Sequence, residues 1–182
     1  MDKKSLRELI SNKRANLSQD EILRKSSEVH KHLFKVLKRV DYQTIMLYCS
    51  VKNEVDTGPL LQHYWQGGKT VLLPALQDRE MIVVSCSSAE PLIPGPYGIR
   101  QPVCKANNRH NQPIDVIIIP CVACDKQKNR LGFGKGYYDR FLQDQSALKI
   151  GLCYDFQLFE KIPADKHDIR LDFVITDKEV IP

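Results

Sequence analysis

Apolar residues in the first forty positions recur at helical intervals. Leu6, Leu9 and Ile10 share one face of a first segment. Ile22, Val29, Leu33, Val36, Leu37 and Val40 follow at spacings of three, four and seven, the stripe of a core-facing helix. Ser18-Gln-Asp-Glu21 is a capping box, a pattern that satisfies two free backbone N–H groups at a helix start, and it predicts the second helix, ending near Asp41.

Beyond Asp41 the pattern changes to short apolar runs. Thr44 to Val51, Lys69 to Leu76, Met81 to Cys86, Ile114 to Pro120, Lys149 to Tyr154 and Leu171 to Thr176 read as strands. Asp56 to Gln66, closed by Gly67-Gly68, and a segment from about Gly136 to Leu142 read as helices. Near-continuous apolar strands suit a sheet buried on both faces. Residues 87 to 113 hold five prolines with Gly95 and Gly98 between them, which predicts a long loop, and long ordered loops tend to be functional. The expected fold class is a single α/β domain over residues 1–182: three layers, a mostly parallel central sheet covered by helices, and a helical N-terminal arm. No internal repeat or linker is visible.

Composition narrows the function. With 42% hydrophobic and 27% charged residues among 182, the chain is globular in composition. It carries 27 Lys+Arg against 22 Asp+Glu, a formal net charge of +5, with the basic residues spread along the chain. A nucleic-acid binder concentrates positive charge with interleaved aromatics on one surface. Here the aromatics near cations are confined to one glycine-rich loop, so no nucleic-acid partner is expected. An anionic small molecule suits this balance, as does a plain solvated basic surface.

The six cysteines, at 49, 86, 104, 121, 124 and 153, lack the spacing of a disulfide scaffold. The opening MDKKSLRELI is charged rather than signal-like, and no run approaches the ~18 apolar residues of a membrane span. These features predict a cytoplasmic protein with reduced thiols and no membrane partner. Cys121-Val-Ala-Cys124 lacks the second ligand pair of a zinc site and reads as structural thiols. A redox role is the alternative, although the pair does not open a helix. His30, His32, His63, His110 and His167 are scattered, as surface histidines would be.

The densest chemistry lies in Asn129-Arg-Leu-Gly-Phe-Gly-Lys-Gly-Tyr-Tyr-Asp-Arg140. Alternating glycines at 132, 134 and 136, with Lys135 among them, follow the most apolar strand, where α/β sheets place ligands. Glycines let backbone N–H groups approach an anion closely, and a lysine beside them makes a phosphate cradle. The spacing fits neither GxxxxGK[ST] nor GxGxxG. A flexible connection is the competing reading, but it leaves two cations, two tyrosines and a carboxylate in ten residues without a purpose.

The run RLGFGKGYYDRFL resembles the signature of the 5-formyltetrahydrofolate cyclo-ligase (5,10-methenyltetrahydrofolate synthetase) family. Two further blocks are similar in order and approximate spacing, Lys3-Lys-Ser-Leu-Arg7 with Arg14 and Tyr48-Cys-Ser-Val-Lys-Asn-Glu54-Val-Asp-Thr57, and Pro96-Tyr-Gly-Ile-Arg100 adds to them. With the Asp172 strand, the likeness spans nearly the whole chain.

The resemblance implies an enzyme, an ATP-dependent ligase that converts 5-formyltetrahydrofolate to 5,10-methenyltetrahydrofolate with release of ADP and phosphate, Mg²⁺ being its cofactor. It implies that Lys135, Arg130 and Tyr137 are catalytic. Lys3, Arg7, Arg130, Leu131, Gly132, Phe133, Gly134, Lys135, Gly136, Tyr137 and Tyr138 would bind the nucleotide. Cys49, Glu54, Phe133 and Tyr137 would contact the folate, and Asp139 with Asp172 would hold the metal. The enzyme would act as a monomer. The residues offer one consistency check: Lys3 and Arg7, four apart, share a helix face. The blander reading of Lys3 and Arg7 is a solvated face, of Glu54 an exposed turn acid, of Asp139 a helix-start charge and of Asp172 a strand-edge acid. Gln101 stands where the family often has an acid, which preserves an acceptor and loses a charge. A non-catalytic nucleotide- or folate-binding regulator on the same fold is the alternative function.

Overall fold

The computed structural model describes residues 1–165 and 168–182. Four α-helices, α1 (Lys3–Ala15), α2 (Gln19–Leu37), α3 (Gly58–Gln66) and α4 (Tyr137–Leu142), alternate with twelve strands. These are β1 (Thr44–Met46), β2 (Thr70–Gln77), β3 (Glu80–Ser85), β4 (Leu92–Pro94), β5 (Arg100–Pro102), β6 (Val116–Pro120), β7 (Ala123–Asp125), β8 (Arg130–Leu131), β9 (Leu148–Leu152), β10 (Leu158–Phe159), β11 (Phe173–Ile175) and β12 (Val180–Ile181). Seven of them form one sheet in the order β12-β11-β9-β6-β1-β2-β3. Its five inner strands are parallel, and β12 and β3 close the two edges antiparallel. The expected mixed α/β fold with a mostly parallel central sheet is therefore present.

Alternation along each strand divides the core in two. Ile45, Leu47, Val116 and Ile118 face α2 and α3, while Met46, Ile117, Ile119 and Val174 face the opposite side with Leu142 of α4. All four aliphatic residues of β6, Val116 to Ile119, are fully shielded. Each such burial is worth about 1.5–3 kcal/mol, so β6 anchors the sheet. The helical cover is uneven: α2 and α3 lie over one face, and the other is covered by α4 and loops. Helix α1 packs Leu6 and Ile10 against Ala123 and Leu131 of the small sheet β10-β7-β8 and against Val122 just before it.

The Ser18 capping box forms as expected, with Ser18 and Glu21 exchanging side-chain bonds to each other's backbone. The 87–113 stretch is less open than its prolines suggest. Strands β4 and β5 pair antiparallel within it, and Val84 bridges to Arg109. No helix among the described residues is long and apolar enough to cross a membrane.

The chain runs from β1 outward to β2, then returns to β6 on β1's other side and proceeds away through β9 to β11. The direction of winding reverses between β1 and β6, and a crevice opens beyond the C-terminal ends of those two strands. Open α/β sheets bind ligands at that position.

Candidate active site

A cavity of about 300 Å³ occupies the crevice, at the lower end of the size range of small-molecule sites. Tyr48 and Cys49, just past β1, and Pro120, the last residue of β6, form its base with Glu54. The glycine loop, residues 132 to 136, forms one wall. The tip of the β4–β5 hairpin, with Tyr97 and Ile99, covers it from the other side.

The glycine loop is built on arginines. Arg7 of α1 donates from Nε to the Gly132 carbonyl at 2.8 Å. A Cβ on Gly134, where φ is +89°, would fall 3.1 Å from the Arg7 guanidinium, and one on Gly132 would fall 2.8 Å from Nη1 of Arg130. Only glycine lets the backbone turn this way while lying against two cations. Lys135 stands at the rim, its Nζ 5.7 Å from the centre of the Tyr97 ring and paired with no carboxylate among the described residues. Tyr137 meets Tyr97 with hydroxyls 3.5 Å apart. Phe133 is 47% exposed at the mouth, between Arg14 at 5.8 Å and Lys52 at 5.7 Å from its ring centre.

Three shielded polar atoms on the cavity wall lack hydrogen-bond partners: Oε1 of Glu54, the Tyr138 hydroxyl and Nε of Arg130. Leaving such groups unpaired costs about 1–3 kcal/mol each, which a ligand with matching donors and acceptors would recover. Burial pushes the Glu54 carboxyl up to about 7, against the opposing pull of Arg14. Burial also raises the Tyr138 hydroxyl, so it stays a neutral donor. The Cys49 thiol is pushed up to about 11 by burial and is no thiolate near neutral pH.

Arg130 is buried, and its Nη2 donates to Oδ1 of Asp139 at 2.6 Å. Asp139 thus keeps its second oxygen for another partner. Among the described residues no three His, Cys, Asp or Glu side chains converge as a metal site. A hard divalent cation that takes most of its oxygens from phosphates and water suits this spare donor set.

The structure separates some residues expected together. Asp172 lies at the opposite end of the sheet: its Oδ2 accepts from the backbone N–H of Lys149 at the start of β9, a full strand of ~15 Å from the crevice. It cannot share a cation with Asp139, and its observed work is to pair strand-entry backbone. Asp168, four residues earlier, lies on the correct side, where its carboxylate bonds Lys3 Nζ at 2.6 Å and feels the Arg130 charge. Lys3 is held by Asp165 and Asp168 rather than lining the cavity. The Leu131 side chain is buried against α1, so only its backbone is available to a ligand. Cys121 and Cys124 are buried beside Cys153, all three thiols raised above their ordinary range, with burial the leading cause for the first two. That fits the structural reading.

Sequence reading passed over Arg14, Lys52, Tyr97 and Asp168 as site residues. The Pro-Tyr-Gly turn and the Lys-Asn turn were visible signals for two of them. The Gln101 amide joins the hairpin to β2, accepting from Leu76 N–H at 3.0 Å, which is how this position works without a charge.

The family model for the 5-formyltetrahydrofolate cyclo-ligase family matches residues 1–177. A curated relative named 5-formyltetrahydrofolate cyclo-ligase from Escherichia coli is 35% identical over 146 residues, covering 75% of this chain and 79% of the relative. One of the same name from Haemophilus influenzae is 32% identical, covering 87% and 88%. The solution structure of Aquifex aeolicus 5,10-methenyltetrahydrofolate synthetase superposes with a TM-score of 0.87 at 39% identity, over 99% of this chain and 92% of that one.

Proposed function

The chain belongs to the 5-formyltetrahydrofolate cyclo-ligase family, and from that premise we propose how its cavity carries out an ATP-dependent ring closure. The substrates are 5-formyltetrahydrofolate and ATP, and the products are 5,10-methenyltetrahydrofolate, ADP and phosphate. The formyl oxygen attacks the γ-phosphorus and ADP leaves. N10 then attacks the activated formyl carbon, and phosphate departs with the oxygen. Positioning and charge stabilisation are what such a transfer asks of a protein.

The observation that carries this reading is the pairing of two unlike halves in one cavity. Glycines 132, 134 and 136 with Arg130 and Lys135, backed by Arg7 bonded to the Gly132 carbonyl, make a cationic wall suited to a triphosphate. Glu54 Oε1 and the Tyr138 hydroxyl, both shielded and unpartnered, offer an acceptor and a donor at the base. A pterin presents amino and ring N–H donors beside a carbonyl oxygen, the complement of that pair. Tyr97, Phe133 and Tyr137 supply aromatic surface at the mouth, and Cys49 lies along the floor.

Lys135, with no carboxylate to neutralise it, is the cation free to follow charge onto the transferring phosphoryl. Arg130 is fixed by Asp139 and positions rather than moves. Mg²⁺ would fit the free oxygen of Asp139, with Asp168, which feels the charge of the same Arg130, the candidate second carboxylate, and when bound it would neutralise phosphate charge. Six unpaired cysteines suit the cytoplasm.

Absorbance in the methenyl-folate band, followed with 5-formyltetrahydrofolate, ATP and Mg²⁺ each omitted in turn, tests the proposal. A rise requiring all three is expected. A rise without ATP, or none with all three present and the protein folded, refutes it.

A further inference from the structure

Arg14 was marked by the sequence only as one member of a basic block. In the structure it is a buried guanidinium, 3% exposed, projecting from the last turn of α1 into the turn that carries Glu54. Its Nε donates to the Lys52 carbonyl at 2.8 Å, and its Nη2 donates to the carbonyls of Val51 at 2.9 Å and Lys52 at 2.5 Å. Asn53 returns a bond from Nδ2 to the Arg14 carbonyl at 2.8 Å. The turn it grips is closed by Glu54 N–H to the Val51 carbonyl at 3.0 Å. Both central residues are left-handed, with φ +50° at Lys52 and +55° at Asn53. A side-chain-bearing residue such as Lys52 holds that conformation at a cost of about 1–2 kcal/mol, so something must over-determine it. The Arg14 fork does so.

The same guanidinium sits 3.7 Å from Glu54 Oε1. That separation is too long for a hydrogen bond but short enough for strong charge attraction in a buried site. Glu54 Oε2 is occupied by the Val51 N–H at 3.0 Å, while Oε1 accepts from nothing. Arg14 therefore supplies counter-charge to a carboxylate that lines the cavity while leaving Oε1 without a hydrogen bond. The other charged or titratable groups around Glu54 are Lys52 on its own turn, Tyr48 past β1, Cys121 past β6, Tyr138 of α4, and Tyr154 past β9. Among the described residues only Arg14 forms an ion pair with Glu54.

We propose that Arg14 is a positioning residue of the substrate site, whose fork fixes the Val51–Glu54 turn and whose charge presents Glu54 Oε1 as an open carboxylate acceptor to the N–H donors of the ligand. This rests on the reading of Glu54 as the pterin-binding acid. It also gives α1 a double task. Arg7 and Arg14, seven residues apart on one face, tie the glycine loop and the Glu54 turn to the same helix.

The test is calorimetric binding of 5-formyltetrahydrofolate without ATP, from pH 5.5 to 9, to the wild-type chain and to Arg14→Met, Arg14→Lys and Glu54→Gln. A non-hydrolysable ATP analogue serves as the control ligand. If the ligand takes the ionised acid, wild-type affinity holds above about pH 7 and falls roughly tenfold per pH unit below it. Glu54→Gln binds weakly with no such pH dependence. Loss of the neighbouring cation raises a carboxyl by about one to three pH units. Arg14→Met is therefore weak at pH 7 and recovers towards pH 9, with nucleotide affinity within about twofold of wild type.

Arg14→Lys retains the charge and loses the planar fork. Its midpoint stays with the wild type while affinity falls several-fold at every pH. An Arg14→Met midpoint at the wild-type position, together with a weakened Glu54→Gln, overturns the role of Arg14 alone. Wild-type binding by Glu54→Gln overturns the pterin assignment as well. Should Arg14→Met fail to fold, wild-type affinity in Arg14→Lys at every pH overturns the proposal.

Discussion

Gly134→Ala isolates the phosphate half of the cavity. At φ +89° an alanine is strained whatever space surrounds it, and holding an L-residue in that region costs about 1–2 kcal/mol. The new Cβ would also stand 3.1 Å from the Arg7 guanidinium, displacing a flexible end by a few tenths of an ångström and weakening its bond to Gly132. If the loop relaxes by 1–2 kcal/mol away from its present shape, the competent fraction drops about 5- to 30-fold. Apparent nucleotide affinity falls by the same factor, because binding is divided by the competent population. Titration calorimetry with a non-hydrolysable ATP analogue measures this, with 5-formyltetrahydrofolate as the internal control. The expected result is a 5- to 30-fold rise in nucleotide Kd, a smaller rise in folate Kd because Glu54 and Tyr138 lie outside the loop, and an unchanged far-ultraviolet spectrum. An unaltered nucleotide Kd would refute the loop as the phosphate cradle.

Other substitutions separate the remaining roles. Tyr138→Phe removes a shielded hydroxyl without a protein partner, so thermal stability should hold or rise while folate affinity falls about tenfold; a melting point several degrees lower would show that the hydroxyl is structural. Lys135→Ala should reduce turnover about a hundredfold or more with little change in melting temperature, since the ammonium's recorded contact is the Tyr97 ring; wild-type turnover would remove it from the chemistry. Asp139→Asn should raise the Mg²⁺ concentration needed for half-maximal rate. It also leaves buried Arg130 without its counter-charge, at a cost of roughly 1–2 kcal/mol after allowing for the partial exposure of Asp139. Unchanged Mg²⁺ dependence would dismiss the metal role, and urea melts check the stability.

The helices and the large sheet were legible because their signals are local or periodic. Ser18 and Glu21 lie three residues apart and cap as their spacing dictates, and Val116 to Ile119 are apolar throughout because β6 is buried on both faces. The small sheet β10-β7-β8 was not legible. Its strands are two or three residues long, and the pairing of β10 with β7 depends on residues 34 positions apart, Leu158 and Cys124, meeting in space. Asp172 was misplaced for a related reason: it sits at the strand entry beside Lys149 while Asp168, four residues earlier, lies beside Lys3 and Arg130, and sequence distance does not give the end. Glu54 was visible only through the family's motif. That it is buried, and that a guanidinium forty residues upstream in the chain lies beside it, arises from α1 folding back across the β1 exit, which no local pattern encodes.

The most direct test of the ring-closure account follows the formyl oxygen. The wild-type enzyme would be run with ATP, Mg²⁺ and 5-formyltetrahydrofolate carrying ¹⁸O in the formyl group, and the released phosphate analysed by mass spectrometry. Attack of that oxygen on the γ-phosphorus predicts one ¹⁸O in each phosphate formed, in step with the methenyl-folate produced. Unlabelled phosphate would mean that ATP is hydrolysed by water beside the reaction, and would contradict phosphorylation of the formyl oxygen in this cavity.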